Sequence, residues 1–295
     1  MEKLIRSYLI AFFVSIIIFL PQVSIAGGPW TKAKGKYYLK LSEWGLKFDS
    51  HYTDTGQIDP NITTGIYNTF LYAEYGLTDR FTTIFNGNLF SRNVMNNQRS
   101  QTTNEIVING DALNSVGDME LGLKYSLSKP GAKIPMAISV QLGIPTGVTG
   151  KGEFGTLQTG DGEFNQMVQF DIGSGFNIKS SNCYFSAYAA LNNRTNGFSE
   201  EYRTGAELGI ELLQNKLWLS TKLNVIKSFK NGELATEVNS TSIFANNSEF
   251  TSIGFEANYY ITDKIGVSAN FTSAVSGRII AAAPSYNFGV FIDIN

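Results

Sequence analysis

Cysteine is nearly missing from this chain: Cys183 is the only one among 295 residues. A single thiol cannot close an internal disulfide, and without a Cys/His cluster no zinc site can be assembled, so neither cross-link nor structural metal is expected to hold the fold. Histidine is as scarce, with His51 alone. Charge is thin as well: 16% of residues are charged, and 23 basic side chains stand against 25 acidic ones. Such a balanced, slightly acidic chain lacks the basic stripe that nucleic acid requires, so no nucleic-acid partner is expected. Beyond the first two dozen residues there is also no apolar run approaching the roughly 20 residues that a membrane-spanning helix needs. What the sequence has in quantity is glycine, tyrosine, phenylalanine and small polar residues.

The N-terminus has three parts. Lys3 and Arg6 precede an uncharged apolar run from Tyr8 to Leu20, and Pro21 leads to the small-residue sequence Ser24-Ile25-Ala26. This is the pattern of a secretory signal peptide, with cleavage expected after Ala26; the run is too short for a retained anchor. The residue directly after the cleavage point is Gly27 and not cysteine, which argues against a lipid-anchored lipoprotein. The chain therefore divides into a signal peptide, 1–26, and a single mature unit, 27–295.

The mature unit alternates. Met119, Leu121, Leu123, Tyr125 and Leu127 are interleaved with polar or small residues, as are Met136, Ile138, Val140, Leu142 and Ile144. The same holds for Thr204 to Leu212, Ile253 to Ile261 and Tyr286 to Ile294. Each stretch approaches the roughly 10 residues of a tilted membrane strand, and its polarity changes with period two, so one face suits lipid and the other an enclosed interior. Short turns at 77–80, 128–131, 179–182, 214–216 and 261–264 alternate with longer polar stretches near 49–63, 93–114, 146–164, 195–201, 231–249 and 276–284. That asymmetry belongs to barrels of the Gram-negative outer membrane, where periplasmic turns are short and external loops long.

The expected fold is all-β: a closed antiparallel transmembrane barrel of about 12 strands, with ten or fourteen as alternatives. The alternatives arise at Phe81 to Ser91, where the alternation is ambiguous. Strand one, Gly35 to Phe48, changes phase: Tyr37, Leu39 and Leu41 share a face, then Trp44, Leu46 and Phe48 take over, as a bulge would produce. The similar segments around Leu77-Thr78-Asp79-Arg80 and Ile261-Thr262-Asp263-Lys264 read as shared turn chemistry, with Asp capping the turn and tyrosine at the membrane interface. The final strand should pair with the first, because an open edge in lipid leaves backbone groups unsatisfied.

On this alternation the lumen-facing candidates are Glu74, Asp118, Glu120, Lys124, Asp171, Arg203, Glu207, Glu211, Lys222 and Glu256. Two readings follow from their mixed signs. They can pair across strands and fill the barrel, or they can line a polar path that selects solutes. Catalysis has little support. Outer-membrane lipid hydrolases typically need His with Ser or Asp, and although His51 has Ser50 beside it, neighbours on a strand point to opposite faces. The acids Asp54, Asp59, Asp161 and Glu163 lack calcium-loop spacing, so no metal and no cofactor are expected.

Several motifs resemble those of outer-membrane barrels related to the "meta-pathway of phenol degradation" family. They are Val116-Gly117-Asp118-Met119-Glu120-Leu121-Gly122-Leu123-Lys124-Tyr125, Gly143-Ile144-Pro145-Thr146-Gly147, Thr159-Gly160-Asp161-Gly162 and the turn at Tyr75. The resemblance implies a channel or transporter for small, often hydrophobic, solutes. Read as structure, Pro145 ends a strand, and Thr159-Gly160-Asp161-Gly162 is a loop turn because no helix follows to bind a phosphate. A closed structural or surface-recognition barrel, with external loops contacting lipopolysaccharide or another protein, is the competing expectation. Outer-membrane lipid is the expected surrounding in either case; oligomeric state is left open.

Overall fold

The computed structural model describes residues 27–100, 102–152, 155–232 and 243–295; the expected signal peptide, 1–26, lies outside them. Twelve antiparallel strands form one closed sheet. They are β1 (Tyr37–Tyr52), β2 (Ile58–Gly76), β3 (Phe81–Met95) and β4, which comes in two pieces (Asp111–Ser115 and Met119–Ser126). Then follow β5 (Met136–Ile144), β6 (Asn165–Ile178), β7 (Ser181–Arg194) and β8 (Glu201–Leu212). The last four are β9 (Leu217–Ser228), β10 (Glu249–Tyr260), β11 (Ile265–Arg278) and β12 (Pro284–Ile294). Successive strands pair, and β12 returns to β1 with Ile294 opposite Tyr37 and Ser285 opposite Leu46. Closure leaves no edge, which is the condition for a sheet to lie in hydrocarbon, where water cannot satisfy backbone groups.

The alternation sorts the side chains by polarity. Leu123, Val140, Val168 and Leu191 stand opposite one another on successive strands, and all are exposed on the outside. Phe255, Phe271 and Tyr286 continue the band on the far side of the barrel. Between them in sequence lie Lys124, Ser139 and Asp171, which are buried. A soluble protein would have the opposite arrangement. Moving such an apolar side chain from water to lipid contributes about 1.5–3 kcal/mol, and a girdle of them fixes the barrel in the outer membrane.

Toward the outer end the polarity inverts. Leu46 and Phe48 on β1, Ile66 on β2 and Ala281 form a dry cluster inside the barrel, with Trp44 packed against it, while Lys47 and Asp49 point out to water. This corrects the expectation for strand one. Tyr38, Lys40, Ser42, Trp44, Leu46 and Phe48 occupy one continuous inner face, and the register with β12 runs unbroken from Tyr37 to Leu46. The phase change in the sequence marks the point where the inner face turns from polar to apolar; the only shift against β2 lies further on, between Phe48 and Ser50.

The ambiguity in strand three does come from a bulge. Thr69 pairs with Phe90 but Phe70 pairs with Asn88, so Leu89 is the extra residue, and Leu89 and Phe90 both face outward. Past the bulge, Ser91, Asn93 and Met95 take the inner face that Thr82, Ile84 and Asn88 hold before it.

The stretch 49–63, expected as a loop, is mostly strand. β1 and β2 run on as a hairpin closed at 53–57, where the Thr53 amide donates to the Gln57 carbonyl and Gly56 takes a positive φ of 81°. Above the membrane both faces of a strand can be polar, so no apolar alternation is left to read.

The two similar turns are the same in detail, with one correction. Thr78 and Thr262, not the aspartates, cap them: each hydroxyl accepts the amides two and three residues on. Asp79 instead accepts the Lys34 amide.

Candidate functional site in the barrel lumen

Before β1 begins, the chain doubles back into the barrel. Gly35 and Lys36 pair with Gly76 at the periplasmic end of β2, and a Cβ at Gly76 would collide with the Ala33 carbonyl. From that turn, residues 27–32 enter the lumen. Pro29 is fully buried, and Lys32 is 3% exposed. Trp30 meets Tyr184 edge-on with ring centroids 5.7 Å apart. Gly173 on β6 makes room: a side chain there would lie 2.8 Å from the Pro29 ring. Lys32 is tied at both ends. Its amide donates to the Thr82 hydroxyl at 2.9 Å, and its ammonium pairs with Asp293 at 2.8 Å.

Around this segment the inward side chains form an aromatic collar and two ion-paired groups. Phe291 stacks on Tyr38 and meets Tyr260 edge-on, and the Tyr260 hydroxyl donates to Asp293. In the first ionic group Lys124 Nζ is 3.1 Å from Glu74 Oε1, and Asp171, two strands on, faces the same interior with Oδ1 accepting from Gln169 at 2.8 Å; all three charged side chains are buried. In the second, Glu256 sits between Lys40, at 2.8 Å, and Lys222. Lys222 is also 3.6 Å from Glu207, which accepts from the Tyr184 hydroxyl. The second group is balanced, two lysines against two glutamates, whereas the first sets one lysine against two carboxylates; a buried charge without a partner costs several kcal/mol.

The remaining candidates lie on the same side of the sheet. Glu120 accepts from Asn86 at 3.1 Å, Glu211 accepts from Asn182, and Arg203 pairs with Glu201 two residues before it on β8. Between the walls and Gly27-Gly28 is a cavity of about 450 Å³. Tyr38, Tyr72, Tyr184, Trp218 and Phe291 line it, with Lys40, Glu207, Lys222 and Glu256. Lys40 was not among the sequence candidates, although it lies opposite Leu39 and Leu41 in the alternation. Lys32, Trp30 and the glycines before them could not be placed from periodicity, because they precede the first strand.

Asp118 has a different task. It falls in the gap between the two pieces of β4, and its carboxylate accepts the Gly147 amide at 2.9 Å and the Asp161 amide at 3.0 Å. Thr159 donates to the Val116 carbonyl, Thr146 donates to the Gly117 carbonyl, and Gly160 lies so close to Asp118 that any Cβ would collide with it. Three motifs that read as a strand, a strand end and a loop turn are thus one assembly. It folds the connection between β5 and β6 inward, with Gln158, Thr159 and Glu163 buried.

Arg194 at the end of β7 completes this lid, reaching Asp161 at 2.9 Å and Glu163 at 2.6 Å. Burial pushes the carboxyls of Asp161 and Glu163 above the ordinary range, against the pull of Arg194. His51 lies on β1 opposite Asp59 and Ala281. Its Nδ1 is buried with no hydrogen-bond partner among the described residues, and the Ser50 hydroxyl donates to Asp49.

The architecture is that of an outer-membrane β-barrel, and solved structures share it. The COG4313 outer membrane channel from Pseudomonas putida F1 superposes with a TM-score of 0.58 at 16% identity, over 91% of this chain and 99% of that one. The translocator domain of the autotransporter NalP from Neisseria meningitidis gives 0.48 at 10% identity, over 99% of this chain and 96% of that one. A KdgM porin in complex with disordered oligogalacturonate gives 0.47 at 8% identity, over 88% and 99%. No protein-family model matches the sequence, and no curated protein sequence matches it.

Proposed function

We propose that this barrel is a gated channel or transporter for small solutes. The observation that carries the reading is the aromatic-walled cavity of about 450 Å³ inside the barrel, in contact with the charged row Lys40, Glu256, Lys222 and Glu207. A barrel that was only a scaffold would gain stability by filling that volume with side chains. The N-terminal segment on one side and the Asp118-held lid on the other narrow the path, so passage depends on their displacement. The wall chemistry suits compounds with a flat apolar body and one polar group: rings stack on the tyrosines, and the polar group exchanges for one member of an ion pair. The resemblance to the "meta-pathway of phenol degradation" barrels points the same way, toward small and often hydrophobic cargo.

Purified protein in a planar bilayer should give discrete conductance steps. Replacing Glu207 and Glu211 with Gln should shift ion preference toward anions, because two negative charges leave the wall. Silent bilayers, together with liposomes that take up no small solute, would refute the proposal.

A further inference from the structure

The cluster around Glu74 is one positive charge short. Glu74 and Asp171 bring two carboxylates and Lys124 one ammonium, within a fully buried group. Glu74 Oε1 is crowded: it accepts from Lys124, from the Tyr72 hydroxyl at 2.8 Å and from the Gly27 nitrogen at 3.2 Å. Its other oxygen, Oε2, has no hydrogen-bond partner among the described residues, and neither has Oδ2 of Asp171. A buried carboxylate oxygen left unpaired is costly and points to a missing donor.

We propose that the missing charge is the N-terminal ammonium of the mature chain, made when the Ala26–Gly27 bond is cut, and that Glu74 is its binding site. The inference rests on the signal-peptide reading of residues 1–26 and not on the channel reading. Hydrolysis consumes one water. The bond between the Ala26 carbonyl carbon and the Gly27 nitrogen breaks, the water oxygen joins that carbon to give a carboxylate, and the nitrogen gains both protons and becomes an ammonium.

The nitrogen that faces Glu74 then carries three donors where the peptide had one, and one positive charge where it had none. The group of Glu74, Asp171, Lys124 and Gly27 becomes neutral. Processing and plugging are thereby one event. The uncut chain offers Glu74 only an amide; the cut chain offers it an ion, and residues 27–32 are held in the lumen by the charge that cleavage created.

Three measurements on protein purified from outer membranes test this without using conductance. Intact mass should correspond to a chain that starts at Gly27 with an unblocked amine; another start overturns the proposal. Zero-length carbodiimide coupling of folded wild type should join the Gly27 amine to the Glu74 carboxylate, seen as a cross-linked peptide by mass spectrometry. Coupling of Glu74 to Lys124 alone would overturn it.

Labelling of the α-amine by 2-pyridinecarboxaldehyde should be about tenfold slower in folded wild type than in folded Glu74→Gln, the factor that one pKa unit of preference for the ammonium gives. Equal rates, whether both fast or both slow, would mean that Glu74 does not hold the amine. If Glu74→Gln fails to fold, the cross-link in wild type decides alone.

Discussion

The barrel is two proteins stacked on one set of strands. In the membrane band apolar side chains such as Leu123, Val140 and Val168 face out, and ions are enclosed. In the crown, Leu46, Phe48 and Ile66 face in and charges face out. Both follow from one rule, that apolar surface leaves water, applied to two different surroundings: in the band the dry phase is outside the barrel, in the crown it is inside. β1 passes through both without changing its register to β12. The inner face of a strand is therefore defined by geometry, and its polarity by height.

Substitutions at the two heights sharpen this contrast. Ile66→Ala, at a side chain 1% exposed, should destabilise by about 2–5 kcal/mol, as in a soluble core; urea unfolding in lipid vesicles measures it. A loss below a fraction of that would mean the crown has no real core.

Val140→Arg, near the middle of β5 and facing out, should cost about 2–4 kcal/mol by the price of a charge in the bilayer midplane. The paired control is Asp49→Arg on the outer face of the crown, where the change should stay within about 0.5 kcal/mol. Equal penalties for the two arginines would break the distinction.

Asp118→Ala removes a charged acceptor from two amides and should weaken the lid by about 1.5–3 kcal/mol per hydrogen bond. The expected signs are larger or noisier conductance and faster proteolysis between Gly147 and Asp161, with the barrel intact.

The smallest effect concerns acidity. Burial raises the carboxyls of Asp161 and Glu163 above their unfolded values. For an acid shifted upward, the folded state prefers the protonated form, so its contribution is fully present at low pH and is lost as pH rises through the raised value. Lid docking should therefore tighten as the solution is acidified from neutral, and bilayer conductance should fall. Arg194→Gln removes the opposing attraction and should move that transition to higher pH.

How much of this was legible in the sequence follows the same division. In the band, period two carried the strands, the closing pair β12–β1 and the inward placement of residues such as Glu74 and Glu256, because lipid imposes strict alternation, while the count of about twelve came from the short turns and long loops between them. In the crown, water lies outside the barrel and can accept either kind of side chain there, so 49–63 read as loop and the switch at Trp44 read as a bulge. The bulge at Leu89 blurred strand three for a physical reason: one extra residue exchanges the faces. The lumen was legible as a set of charges and not as pairs, since Lys40 meets Glu256 across strands far apart in the chain. The joining of three motifs on Asp118 left no periodic trace at all. Each turn residue was chosen for a contact that only the folded lid brings near.

The pairing of Lys32 with Asp293, and of Tyr37 with Ile294, sets the order of events in assembly. The first strand to be synthesised has its second neighbour only when the last has been made, so the seam waits for the whole chain. Until then two long edges with unspent backbone donors and acceptors must be kept apart from each other and from other chains. Non-local closure of this kind makes folding slow, and the sealing of the ring at β1 and β12 is its last step.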